Sequence, residues 1–100
     1  MALRFLNRRV FLKAGLEATR FFGMDGMKPV RFSISRQALE ALEGDRLDSH
    51  QEIGHAFDRH RTTIYALAEQ LYSLTPRGGT FVHEIHVATA MQHKDRLRGG

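Results

Sequence analysis

The chain has 100 residues, 42% of them hydrophobic, no cysteine and a formal net charge of +4. That suits one domain with one core and excludes a disordered chain. It also excludes disulfides and thiolate metal sites, and no apolar run approaches the ~20 residues that cross a bilayer.

The charge is unevenly spread. Residues 1–36 hold eight Lys/Arg against two acids, residues 37–75 hold three against seven, and residues 76–100 hold four against two. The ends are basic and the middle is acidic. A polyanion is therefore a candidate partner for the basic end. With no cysteine and no membrane span, a cytoplasmic protein is expected.

Met1 to Glu17 reads as a basic N-terminal extension, with a short strand over Val10 to Lys13. Arg8-Arg9-Val10-Phe11-Leu12-Lys13 matches the twin-arginine export consensus letter for letter. The apolar stretch and cleavage site of a signal peptide do not follow, because Glu17 and Arg20 interrupt them.

Residues 18–90 are expected to form the single domain. Ala18 to Met24 and Pro29 to Ser33 read as antiparallel strands joined at Asp25-Gly26. Val30, Phe32 and Ile34 alternate with Arg31, Ser33 and Ser35, so one sheet face is dry and the other wet. A short helix is expected from Arg36 to Glu43, with Ala38, Leu39 and Leu42 inward and Gly44 as its stop.

Ser49 followed by Glu52 has capping-box spacing. From there one long helix is expected to Leu74, before Pro76 and the Gly78-Gly79 pair. Ile53, Phe57, His60, Ile64, Leu67 and Leu71 fall in a band about 80° wide at 100° per residue. Ala56, Ala68 and Leu74 widen the band. Thr80 to Ala88 reads as a last strand, and residues 91–100 as a frayed tail. The fold class is α+β: a small antiparallel sheet packed against one long helix and one short helix.

Several side chains are candidate site residues. His60 lies in the middle of the apolar stripe. It is expected to be a core or rim histidine bonded to a strand, with a ligand-contacting role as the sharper reading. Arg61 sits at the stripe's edge and is expected to pair with an acid. If Asp25-Gly26 are the central turn residues, Arg20 lies opposite Arg31, with Phe22 on the same wet face. Like charges there destabilise a hairpin, and an anion between them would relieve it. Basic-aromatic sheet faces do bind single-stranded nucleic acid. Against this register, Pro29 falls where a ladder N–H is wanted. The histidines lack metal-ligand spacing, so no metal or other cofactor is expected. No nucleophile motif or phosphate loop is present. Glu40, Glu43, Asp45 and Asp48 read as a solvated acidic patch.

Three stretches carry a family likeness: TRFFGMDGM, VRFSISRQALEAL and FDRHRTTIYALAEQL. In the last, Phe57, His60, Arg61, Ile64, Ala68 and Leu71 form the pattern. The chain resembles, over Ala18 to Glu84, the small bacterial proteins called domain of unknown function 1488. The resemblance implies a compact α+β fold and no activity, cofactor or catalytic residue. It raises the weight of His60 and Arg61.

The expected function is a non-enzymatic binding or accessory domain, with a protein partner or a homodimer formed through a sheet edge or the N-terminal arm. Nucleic-acid or anion binding through Arg20, Arg31 and Phe22, together with the N-terminal arginines, is the alternative. A His60-centred enzyme is a third reading, and needs a reachable imidazole facing an acid.

Overall fold

The computed structural model describes residues 3–5, 13–14, 17–78 and 80–91. Its elements in chain order are β1 (Leu3–Arg4), β2 (Lys13–Ala14), β3 (Ala18–Asp25), β4 (Lys28–Ser35), α1 (Arg36–Glu43), α2 (His50–Arg59), α3 (Arg61–Leu74) and β5 (Val82–Ile85). The fold is α+β. Its sheet runs β1-β3-β4-β5, and β2 shares with β1 the free side of β3.

The sheet is mixed. β1, β2 and β4 run antiparallel to β3, but β5 is parallel to β4. An all-antiparallel sheet is thereby corrected. The chain crosses through three helices between β4 and β5, and such a crossover returns a strand in the same direction. The last strand ends at Ile85, not Ala88, and a helical turn over 87–91 follows.

The hairpin closes on Asp25↔Lys28, so Gly26 and Met27 are its central residues. Gly26 has φ +62° while Met27 stays at negative φ. That matches a type II′ turn, which wants glycine at the first central position. The register therefore differs from the expected one: Phe22 lies opposite Arg31, and Arg20 opposite Ser33. Met24↔Pro29 follows the closing pair and is a non-hydrogen-bonded pair. The missing Pro29 N–H points toward the β5 side, where β5 begins only at the Arg31↔Val82 pair.

Alternation settles the faces. Thr19, Phe21, Val30, Phe32, Ile34, His83 and Ile85 are buried on the inner face. Phe57 of α2 and Tyr65 of α3 pack their rings on Phe21, at 5.2 and 6.0 Å. The helices therefore cover that face. Phe5 completes the cluster from the N-terminal side: it stacks on Tyr65 at 4.1 Å and 7°. A Cβ on Gly23 would come within 2.9 Å of the Phe5 ring, so β3 needs glycine there. Burial raises the Tyr65 pKa, opposed by Arg61 and reinforced by Asp58.

The long rod is interrupted. His60, at φ −105° and ψ 16°, ends α2 and precedes α3. Backbone bonds from His60 N to Ala56 O and from Ile64 N to His60 O persist on either side, so the chain turns within a continuing ladder. The two β-branched residues Thr62 and Thr63 at the new start are weak helix formers. One straight helix over Ser49–Leu74 is therefore corrected to two. The core stripe after the junction is Ile64, Leu67, Ala68 and Tyr72, and Leu74 is 77% exposed rather than inward. The expectations for the start of α2 and for α1 hold. Ser49 Oγ accepts from Glu52 N at 3.1 Å, and α1 spans Arg36–Glu43 with Gly44 at its end.

At the far end of α3 the Tyr72 hydroxyl donates to Asp25 Oδ2 at 2.5 Å, tying the helix to the hairpin. That bond raises the tyrosine pKa above its usual 10.0, with burial adding to it. The folded-state pKa lies above the unfolded one. The bond's contribution is therefore complete below pH ~10 and is lost as pH rises through the raised value. Tyr72→Phe is expected to melt earlier than wild type at neutral pH, with the gap closing in strong alkali. Paired thermal melts across that range check this.

Candidate functional site

The sequence pointed to two places, and the fold keeps them apart. One is the helix junction. The other is the outer face of the sheet.

At the junction, Glu43 closes α1 and meets both residues around the break. His60 Nε2 lies 3.0 Å from Glu43 Oε1. Arg59 donates to both carboxylate oxygens, through Nε to Oε1 at 3.3 Å and through Nη2 to Oε2. The His60 side chain is 26% exposed. It is a rim histidine, and the α1 carboxylate is one of its partners. Arg61 pairs with Asp58 one turn back, as an acid partner was expected to do. Its Nε is buried with no hydrogen-bond partner. Glu40 is also engaged, accepting from Leu47 N at 2.9 Å and holding the α1–α2 link. The acidic cluster is thus a set of clasps more than a solvated patch. A hollow of about 310 Å³ beside it is lined by Asp45, Glu52, His55 and Arg59 among others. Among the described residues no three His, Asp or Glu gather to hold a metal ion.

Glu43→Ala is expected to lower stability by about 1–2 kcal/mol. Most of it should come from the half-buried His60 contact, because Arg59 is over half exposed and its ion pair is screened. A double-mutant cycle with His60→Ala measured in urea checks the assignment: the coupling should reach about 0.5 kcal/mol or more.

The outer face is built by period-two alternation. β3 turns Arg20, Phe22 and Met24 outward, β4 turns Pro29 and Arg31 outward, and β5 adds Val82 and Glu84. The register stacks these into rows. Lys13 lies opposite Arg20, which lies opposite Ser33 and then Glu84. Phe22 lies opposite Arg31, then Val82. Arg4 lies opposite Met24, then Pro29. Arg20, Phe22, Pro29, Arg31 and Val82 line a shallow hollow of about 350 Å³.

The arginines of the two regions differ, apart from Arg36 at the start of α1, which has no ion pair among the described residues and a buried Nε without a hydrogen-bond partner. Arg46, Arg59 and Arg61, on the helical side, each have a carboxylate within ion-pair distance. Among the described residues Arg4, Arg20 and Arg31 have none. All three are exposed. Phe22 is the aromatic counterpart: half-buried on the outer face, it makes no ring contact among the described residues, whereas Phe5, Phe21, Phe32, Phe57 and Tyr65 stack inward.

The fold brings Arg20, Phe22 and Arg31 together, and sets His60 and Arg61 elsewhere. Arg4 was expected only as one of the N-terminal arginines, without a place on the sheet. Its signal was the Leu3-Arg4-Phe5 alternation, too short to separate from a basic arm. The export-like motif falls outside the described residues, apart from Lys13.

The profile of the family described as "Protein of unknown function (DUF1488)" matches residues 3–81. The chain belongs to the DUF1488 family. The match begins well before Ala18, so the DUF1488 unit includes β1, Phe5 and β2. A crystal structure of a DUF1488 protein of unknown function from Shewanella loihica PV-4 superposes with a TM-score of 0.70 at 17% identity, over 83% of this chain and 90% of that one. At that identity the likeness speaks for the fold. No curated protein matches the chain. Membership of DUF1488 assigns no activity. No helix among the described residues is long and apolar enough to cross a membrane.

Proposed function

We propose that this DUF1488 protein is a non-enzymatic binding domain that meets an anionic partner on the outer face of its sheet. The observation that supports this is the set of exposed arginines on that face, Arg4, Arg20 and Arg31, with no carboxylate partner among the described residues, while Arg46, Arg59 and Arg61 on the helical side are paired. An unpaired guanidinium on a sheet adds nothing to stability and repels its neighbours. An anion brings the missing countercharge.

A His60-centred enzyme is less economical. His60 does face an acid, but Glu43 spends both oxygens on Arg59 and His60. The three groups bind α1 to the helix junction, and that explains them without a substrate. A cytoplasmic setting fits the absence of cysteine.

Immobilised heparin, a generic polyanion, is the test. The protein is expected to be retained at low salt and released by moderate salt, because exposed charges are screened over about 10 Å at 0.1 M. Passage through the column unretained at low salt would overturn the reading.

A further inference from the structure

We infer that the anionic partner is single-stranded nucleic acid, lying along β3 with an unpaired base on Phe22. This rests on the binding reading above and names its ligand class.

The spacing is the first argument. Taking β3 as a ruler, cations occur at three successive outward rows: Arg20 in one, Arg31 across from Phe22 in the next, and Arg4 across from Met24 in the third. Outward rows on a strand are two residues apart, about 7 Å. That is comparable to the separation of neighbouring phosphates in an unstacked strand. The three rows span about 13 Å, enough for about three phosphates.

The aromatic ring is the second argument. A polyanion such as polyphosphate needs only the cations. Phe22 occupies the middle row, exposed in part and without a ring partner among the described residues, directly across from Arg31. Phe22↔Arg31 is a non-hydrogen-bonded pair, the kind that holds side chains closest. Nothing in the core requires a phenyl ring there. A base stacked on a sheet aromatic with its phosphate on a neighbouring arginine is the recurrent solution for single strands. A duplex has its bases stacked internally and offers none to an exposed phenyl ring. The only outward carboxylate among the described residues of these rows is Glu84, at the β5 edge, with His86 Nε2 3.8 Å away.

The test is fluorescence anisotropy at low salt with labelled oligonucleotides of about eight residues, within the usual site sizes of 4–16. Single-stranded RNA and DNA, the matching duplex and inorganic polyphosphate are compared. Both single strands are expected to bind more tightly than the duplex. Their affinity should fall with salt at a log–log slope of about −2, that is ~0.7 for each of three phosphates. Arg31→Gln should flatten that slope by about 0.7. Phe22→Ala should weaken single strands about tenfold or more, leave the slope unchanged and leave polyphosphate binding unaffected, while Phe22→Tyr restores wild-type affinity. Phe22→Leu keeps the apolar burial and should behave as Phe22→Ala, which separates loss of stacking from loss of fold. If single strands and polyphosphate bind alike and Phe22→Ala is neutral, the nucleic-acid inference fails and the anion-binding reading stands. A preference for the duplex also overturns the inference. If no polyanion binds at low salt, both fall.

Discussion

Reversing two charges, Arg20→Glu together with Arg31→Glu, is expected to reduce polyanion affinity on the order of 100-fold at low salt. Each change removes a phosphate contact and adds a repulsive charge on the same face, so the loss exceeds that of neutral substitutions. The two sites sit on one diagonal of the β3–β4 ladder, Arg20 two residues from the partner of Arg31. Single reversals should each cost roughly tenfold. Arg46→Glu makes the same change in net charge at a fully solvated position in the α1–α2 link, where the side chain is 85% exposed. It should alter binding less than about twofold, because a charge on the other side of the molecule is largely screened beyond the Debye length. Folding is not at stake, since exposed substitutions of this kind usually move stability by about 0.5 kcal/mol or less. Equal effects from Arg46→Glu and Arg31→Glu would mean that overall charge, not this face, attracts the polyanion.

The largest effect on stability is expected from Phe32→Ala, at about 4 kcal/mol. Phe32 is fully buried on the central strand and is ringed by Phe21 at 5.3 Å, Phe5 at 5.8 Å and His83 at 5.3 Å. Truncation loses the buried surface and leaves a cavity that three other elements share. For a domain of this size that shift lowers the melting temperature by about 15–30 °C. Phe22→Ala, on the neighbouring strand but the opposite face, should cost about 1 kcal/mol or less, since the ring is partly exposed and packs on no other ring among the described residues. Thermal and urea unfolding of the two variants check this contrast. If both were equally destabilising, the outer face would be covered and its arginines would need another explanation.

Much of this was legible in the residues, for identifiable reasons. Val30 to Ser35 alternates so regularly that its faces could be read directly, and α1 carried its apolar positions and its stop in order. The grouping of Arg20, Phe22 and Arg31 survived an error in register. The actual hairpin is displaced by two residues, and an even shift keeps every side chain on its face. Gly26 at the first central position, rather than the second, made the difference.

The junction at His60 was hidden because Phe57, His60 and Ile64 keep helical spacing across it. Periodicity detects a stripe, and one residue at non-helical angles does not disturb the stripe. No proline or glycine marks the place. The contact that accompanies the turn, Glu43 with Arg59 and His60, joins residues 16 and 17 positions apart, which no local pattern reports. The same limit concealed β1, whose two residues have meaning only beside β3. The direction of β5 had a weak signal in the long helical crossover before it. Arg4 therefore entered the site only through the ladder.

Backbone amide NMR of the labelled protein, titrated at low salt with a single-stranded oligonucleotide, tests the central claim most directly. Shifts confined to Leu3–Phe5, Thr19–Met24, Val30–Ser33 and Val82–Glu84 are the predicted result, with the α1–α2 link and the Glu43–His60 junction unmoved. Perturbations centred on that junction instead, with the outer sheet rows silent, would contradict it.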